Sequence, residues 1–235
     1  MIAKSNSSDE DRPEIPITPI GTYVAVCRGV IGIGTHFTGY YDKDNEEIWQ
    51  NQVVLLFELP TERVEIGGKD VPRGINTFPI TISLGNKANL RRKFIEPWRG
   101  KEFTDAEAAE GFDMKLLLTQ NCLMSVIHKK SKGDPTKTYA NIGSVLPMIK
   151  GTPTIEPENE VIYYEVDTGM LIPEGTPEWL KIKIFESREM RGHSKDDETG
   201  QQNHAPEEVM ASERVNEQMV NEEFGIPPQD EDRAF

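Results

Sequence analysis

The stretch Thr22-Tyr23-Val24-Ala25-Val26-Cys27-Arg28-Gly29-Val30, running on into Gly32 and Gly34, decides the fold. Tyr23, Ala25 and Cys27 alternate with Val24, Val26 and Arg28, the two-residue period of a strand. Glycines 29, 32 and 34 then let a long strand bend or bulge, and such curvature suits a barrel.

Working outward, a polar turn at 42–47 leads to a second strand over 49–59, whose Val53-Val54-Leu55-Leu56-Phe57 run reads as buried and central. A third strand is predicted over 75–84, after the Gly67-Gly68 turn. Leu90, Phe94 and Trp98, at i, i+4 and i+8 behind a candidate N-cap Asn86, predict a helix that halts near Pro97 and Gly100. Thr104-Asp105-Ala106-Glu107 is a capping-box pattern that starts a second helical turn. Alternation returns over 122–130 and again over 138–148, joined by a loop rich in turn residues, so these two strands should pair as a hairpin. Three strands, a helix and two strands is the order of a mainly β, five-stranded OB-fold Greek-key barrel with a helical insertion between strands 3 and 4. The predicted organisation is a flexible leader over 1–19, the OB-fold domain over 20–150, an extension packed on the barrel over 151–187 and a disordered acidic tail over 188–235.

The 235 residues carry a net charge of −14, which argues at first against a polyanionic partner. The distribution reverses that reading, because residues 72–150 hold thirteen Lys and Arg against seven acids, whereas residues 188–235 hold five against thirteen. The middle is basic and the tail acidic. No run of eighteen apolar residues and no secretory leader is visible, which predicts a soluble cytoplasmic protein. Cys27 and Cys122 lie in apolar runs without a CxxC spacing and read as buried free thiols. Gly29, Gly32, Gly34 and Gly39 lack the spacing of a phosphate-binding loop. His36, His128, His193 and His204 have no paired spacing, and no Ser or Cys stands in a nucleophile context. The expectation is therefore no enzyme, no metal and no cofactor.

Sequence-independent recognition of a single strand needs cations along the phosphates and aromatic faces under the bases. Arg91, Arg92 and Lys93 on the helix, Arg99 and Lys101 just after it, and Lys129, Lys130, Lys132 and Lys137 around the last hairpin supply the cations. Phe37, Tyr40 and Tyr41 in the first loop, with Trp49 beginning the second strand, supply aromatic rings, and Tyr139 is undecided between stacking and core. The competing assignments are a solvated helix face for the charge run and a cover over the barrel's open end for some of the rings. Asp230, Glu231 and Asp232, followed by Arg233-Ala234-Phe235, join an acidic cluster to an apolar ring that can dock into a basic pocket on a partner.

Two segments resemble bacteriophage-type single-stranded DNA-binding proteins. One runs from Leu84-Gly85-Asn86-Lys87-Ala88-Asn89-Leu90-Arg91-Arg92-Lys93 through Pro97-Trp98-Arg99-Gly100-Lys101-Glu102-Phe103-Thr104 to Gly111-Phe112-Asp113. The other is the acidic tail ending in Phe235, where Arg233 departs from the pattern and weakens the negative field. The resemblance implies an OB fold, coating of single-stranded DNA in replication or recombination, and recruitment of a polymerase, helicase or nuclease by the C-terminal tip in a bacterial host cytoplasm. Self-association is left open. The competing reading is a protein-interaction adaptor or annealing accessory factor. Hairpin lysines clustered with Tyr40, Tyr41 or Trp49 in one groove favour DNA; scatter favours the adaptor.

Overall fold

The computed structural model describes residues 15–131, 133–166 and 171–191. Strand β1 (Gly21–Tyr41) pairs antiparallel with β2 (Glu47–Ile66), and β2 with β3 (Lys69–Asn76) and the short β4 (Ile80–Thr81). On its other side β1 pairs with β5 (Asn121–Lys130), which forms an antiparallel hairpin with β6 (Thr138–Leu146). The order β3-β2-β1-β5-β6 curls strongly into a half-barrel, and β3 comes back beside β6 with no ladder between them among the described residues. Mainly β and strongly curled is what the bent first strand predicts.

Irregularities in register between Cys27 and Gly29 and between Gly32 and Gly34 are where the predicted bending occurs. The first also changes which face each side chain meets. Ala25, Cys27 and Val30 enter one core, whereas Ile31 and Ile33 enter a second. On β2 the alternation is unbroken: Val53, Leu55 and Phe57 face the first core, Val54 and Leu56 the second. The five-residue apolar run is therefore a strand buried on both sides.

Between β4 and β5, a wide helical turn (Leu90–Ile95) runs into α1 (Glu96–Arg99), which ends at Gly100 with φ of 64°. Leu90 and Trp98 are buried in the first core with Phe94 half-buried beside them, and the Trp98 indole donates to the Asn121 carbonyl at 2.9 Å. Asn86 does not cap this helix: its side-chain oxygen accepts instead from Arg91, and Asn89 at the cap position is itself helical. The Thr104/Glu107 capping box is present at the start of α2 (Asp105–Glu110). The third strand begins and ends earlier than alternation predicts. At Thr77 the amide still donates to the Leu55 carbonyl at 3.0 Å, but the return bond goes to the side chain, the Thr77 hydroxyl accepting from the Leu55 amide at 2.9 Å, and Pro79 has no amide to continue the ladder.

The extension builds the second core. β7 (Ile162–Tyr164) pairs parallel with Gly29, Val30 and Ile31 where β5 has left β1, and α3 (Glu178–Phe185) lays Leu180 and Ile184 on Ile31, Ile33, Val54 and Leu56. A further helical turn over 188–191 follows. Gly34, with φ of +84°, permits this approach, since a Cβ there would lie 2.5 Å from the Ser187 Cβ. The leader is not loose over its last residues: His128 bonds the Thr18 carbonyl at 2.8 Å, and Arg73 donates to the Pro16 carbonyl.

Candidate nucleic-acid interface

The β1–β2 hairpin carries three of the four predicted rings in contact. Phe37 pairs directly with Trp49 across the ladder, centroids 5.9 Å apart, and meets Tyr41 edge-on at 5.4 Å. Residues four apart in a regular strand stand about 13 Å apart. The irregularity between Phe37 and Tyr41, with Gly39 at φ of +81°, folds that distance away. Phe37 and Tyr41 are 36% and 54% exposed, so the core does not account for them. Trp49 is half-buried and donates to Glu47 at 3.0 Å; Tyr40 is half-buried, its amide directed to the Thr38 hydroxyl at 3.3 Å. The turn that joins the strands is acidic, with Asp42, Asp44, Glu46 and Glu47 around Lys43.

The β5–β6 hairpin is the basic counterpart. Lys129 stands opposite Tyr139 and Lys130 opposite Thr138, and Lys129, Lys130 and Lys137 are exposed while Tyr139 is half-buried. The Ser131 amide donates to the Lys137 carbonyl and the Lys137 amide to the Asp134 carbonyl, both at 3.0 Å, fixing the turn. Lys132 lies outside the described residues, as do Asp230, Glu231, Asp232 and Phe235.

The charges near the helix divide. Arg92 and Lys93 are exposed and project from the wide turn. Arg91 is buried: its guanidinium donates to Glu96 at 2.6 Å, Asn86 at 2.6 Å and the carbonyls of Leu84 and Phe103 at 3.1 and 3.0 Å. With its donors engaged inward it is a structural tie, which corrects its assignment to phosphate contact. Arg99 lies 4.2 Å from the Phe103 ring centre and bonds Glu107 at 3.2 Å, and Lys101 bonds the same carboxylate at 2.9 Å. The backbone amide of Thr104, then Lys101, hold the Glu107 carboxyl down at about 2.

The two hairpins do not share one local groove. Gly21 pairs with Val126, so the lysine tip extends past the start of β1, whereas Phe37 and Tyr41 occupy its far end. The sixteen-residue contour from Gly21 to Phe37 is about 50 Å before curling shortens it.

No protein-family model, curated protein or solved structure matches the chain. Among the described residues no group of three or more His, Cys, Asp or Glu could hold a metal ion, and no helix is long and apolar enough to cross a membrane. Cys27 and Cys122 are free and buried, and burial pushes the Cys27 thiol up to about 12.

Sequence reading missed two residues that shape the aromatic site, Thr35 and Glu189. The Thr35 amide and hydroxyl donate to the two Glu189 carboxylate oxygens at 2.8 and 2.5 Å, across 154 positions of sequence. Neither residue carries a local signal of the other.

Proposed function

We propose that this chain binds single-stranded DNA without sequence preference, through an OB-type barrel, in replication or recombination. The observation that carries the reading is the cluster at a hairpin tip of the exposed Phe37 and Tyr41 with the half-buried Trp49, where rings offer bases a stacking surface. The strand order β3-β2-β1-β5-β6 supports an OB-type barrel, in which the loops at 42–46 and 131–137 correspond to the two that frame oligonucleotides. Arg92, Lys93, Lys129, Lys130 and Lys137 supply cations beyond the aromatic tip, and Lys132 belongs to the same proposal by sequence. Asp230, Glu231, Asp232 and Phe235 are assigned to recruiting a replication or recombination protein.

Because the lysine tip and the aromatic tip lie at opposite ends of β1, a bound strand runs along the curled sheet rather than sitting in one pocket. Occupying both tips requires an oligonucleotide toward the long end of the roughly 4–16 nucleotides an OB fold covers. The test is replacement of Lys129, Lys130 and Lys137 together by alanine. The slope of log affinity against log salt should fall by about 2, at roughly 0.7 per phosphate contact on a single strand. An unchanged slope removes the hairpin from the interface.

The separation of the two tips and the acidic turn at 42–47 favour a second reading, an adaptor whose hairpins each meet a protein. It predicts no oligonucleotide binding by the full chain at low salt.

A further inference from the structure

The aromatic tip is net acidic on its own hairpin, where Asp42, Asp44, Glu46 and Glu47 outnumber the single Lys43. A chain segment far off in sequence adds a second cation at the rings. The Arg188 guanidinium carbon lies 5.6 Å from the Trp49 ring centre, and no carboxylate among the described residues pairs with it. Its position is fixed on both sides. Ser187 is fully buried against Gly34, and Glu189 holds the amide and hydroxyl of Thr35, two residues before Phe37 on the same strand. The turn at 187–189 is thereby locked to β1 beside the rings.

An arginine stacked on an aromatic face keeps its in-plane N–H donors free, so it can hold a phosphate while the ring supports its flat side. Arg188 also lies over one face of Trp49. The geometry points to a composite nucleotide site in which Arg188 holds a backbone phosphate, Phe37 and Tyr41 stack the adjoining base, and Trp49 is the plinth beneath both. Resting on the single-strand reading above, this gives the 151–191 extension a binding role: its second core fastens Arg188 to the hairpin.

Three variants of the full chain, Arg188→Ala, Arg188→Lys and Lys181→Ala, are titrated into labelled oligo-dT across a salt series, with melting temperature as the folding check. Lys181 is the charge control, because it leaves the same extension one cation poorer while ion-paired to Glu178 on α3. Arg188→Ala should weaken binding about threefold to tenfold and lower the salt slope by about 0.7. Arg188→Lys should restore the slope but not the full affinity, since the ammonium lacks a planar face. Lys181→Ala should match the wild type in slope. If Arg188→Ala behaves as Lys181→Ala does while the wild type binds, the composite site is wrong and the single-strand reading stands. A wild-type chain that does not bind oligo-dT overturns both.

Discussion

Arg91, Arg92 and Lys93 are adjacent in sequence and unlike in role. As a run they read as one basic helix face, yet successive residues of a helical turn point in different directions, and in this wide turn Arg91 points inward beside Leu90. Its four bonds tie together Leu84, Asn86, Glu96 and Phe103. Arg91→Ala therefore leaves Glu96 and two carbonyls short of a donor, and the expected cost is about 3 kcal/mol of stability by chemical denaturation. Arg92→Ala should cost less than about 0.5 kcal/mol. At the aromatic tip the contrast runs the other way. Tyr41→Ala removes an exposed ring, so its melting temperature should stay near wild type while oligo-dT affinity drops by about 1–3 kcal/mol. Equal losses of stability and affinity would make Tyr41 a packing residue. Sequence alone could nominate these rings because a polar turn flanks them; it could not separate Trp49, covered by Arg188, from Phe37 and Tyr41.

The strands were legible where one face is buried and the other is not, since alternation encodes that directly. Their full lengths were not. Beyond Gly34 and Leu59 the partners β1 and β2 continue as ladders of mostly half-exposed residues, and a strand with little burial leaves no periodic signal. The second core was hidden for another reason. Ile31 and Ile33 continue the same apolar run as Val30, and the irregularity that turns them outward depends on backbone geometry rather than residue type. Their cover lies about 130–150 positions later in the chain, on β7 and α3. Gly34 tests this docking. In Gly34→Ala the new methyl meets Ser187, so the turn at 187–189 must move off β1. Limited proteolysis should cut near 187–191 faster than in the wild type, with β1–β6 left intact. Unchanged cleavage would mean that the extension is held without this contact.

At the scale of the whole molecule, charge is segregated: a basic middle, an acidic stretch from 188 onward, and an acidic turn at the aromatic tip. The overall charge of −14 disfavours a polyanionic partner, whereas the basic stretch over 72–150 suits one. Acid sensitivity follows from a carboxylate within the basic middle. Glu107, held at about 2 by the Thr104 amide and by Lys101, has a folded value below its ordinary 4.5. A depressed carboxyl contributes stability above its unfolded value, and that contribution is lost as pH falls from about 4.5 through about 2. Melting temperature should decline over that window, and Glu107→Gln should flatten part of the decline. An identical profile in the variant would assign the acid loss to other groups.

The proposal that the curled sheet holds a single strand is tested most directly by fluorescence anisotropy. A labelled oligo-dT is titrated with the full chain at low and at moderate salt, with duplex of equal length as competitor. Tight, salt-sensitive binding that duplex does not displace is the predicted result. No binding at low salt, with residues 230–235 present or removed, would contradict it and leave the protein-binding reading in its place.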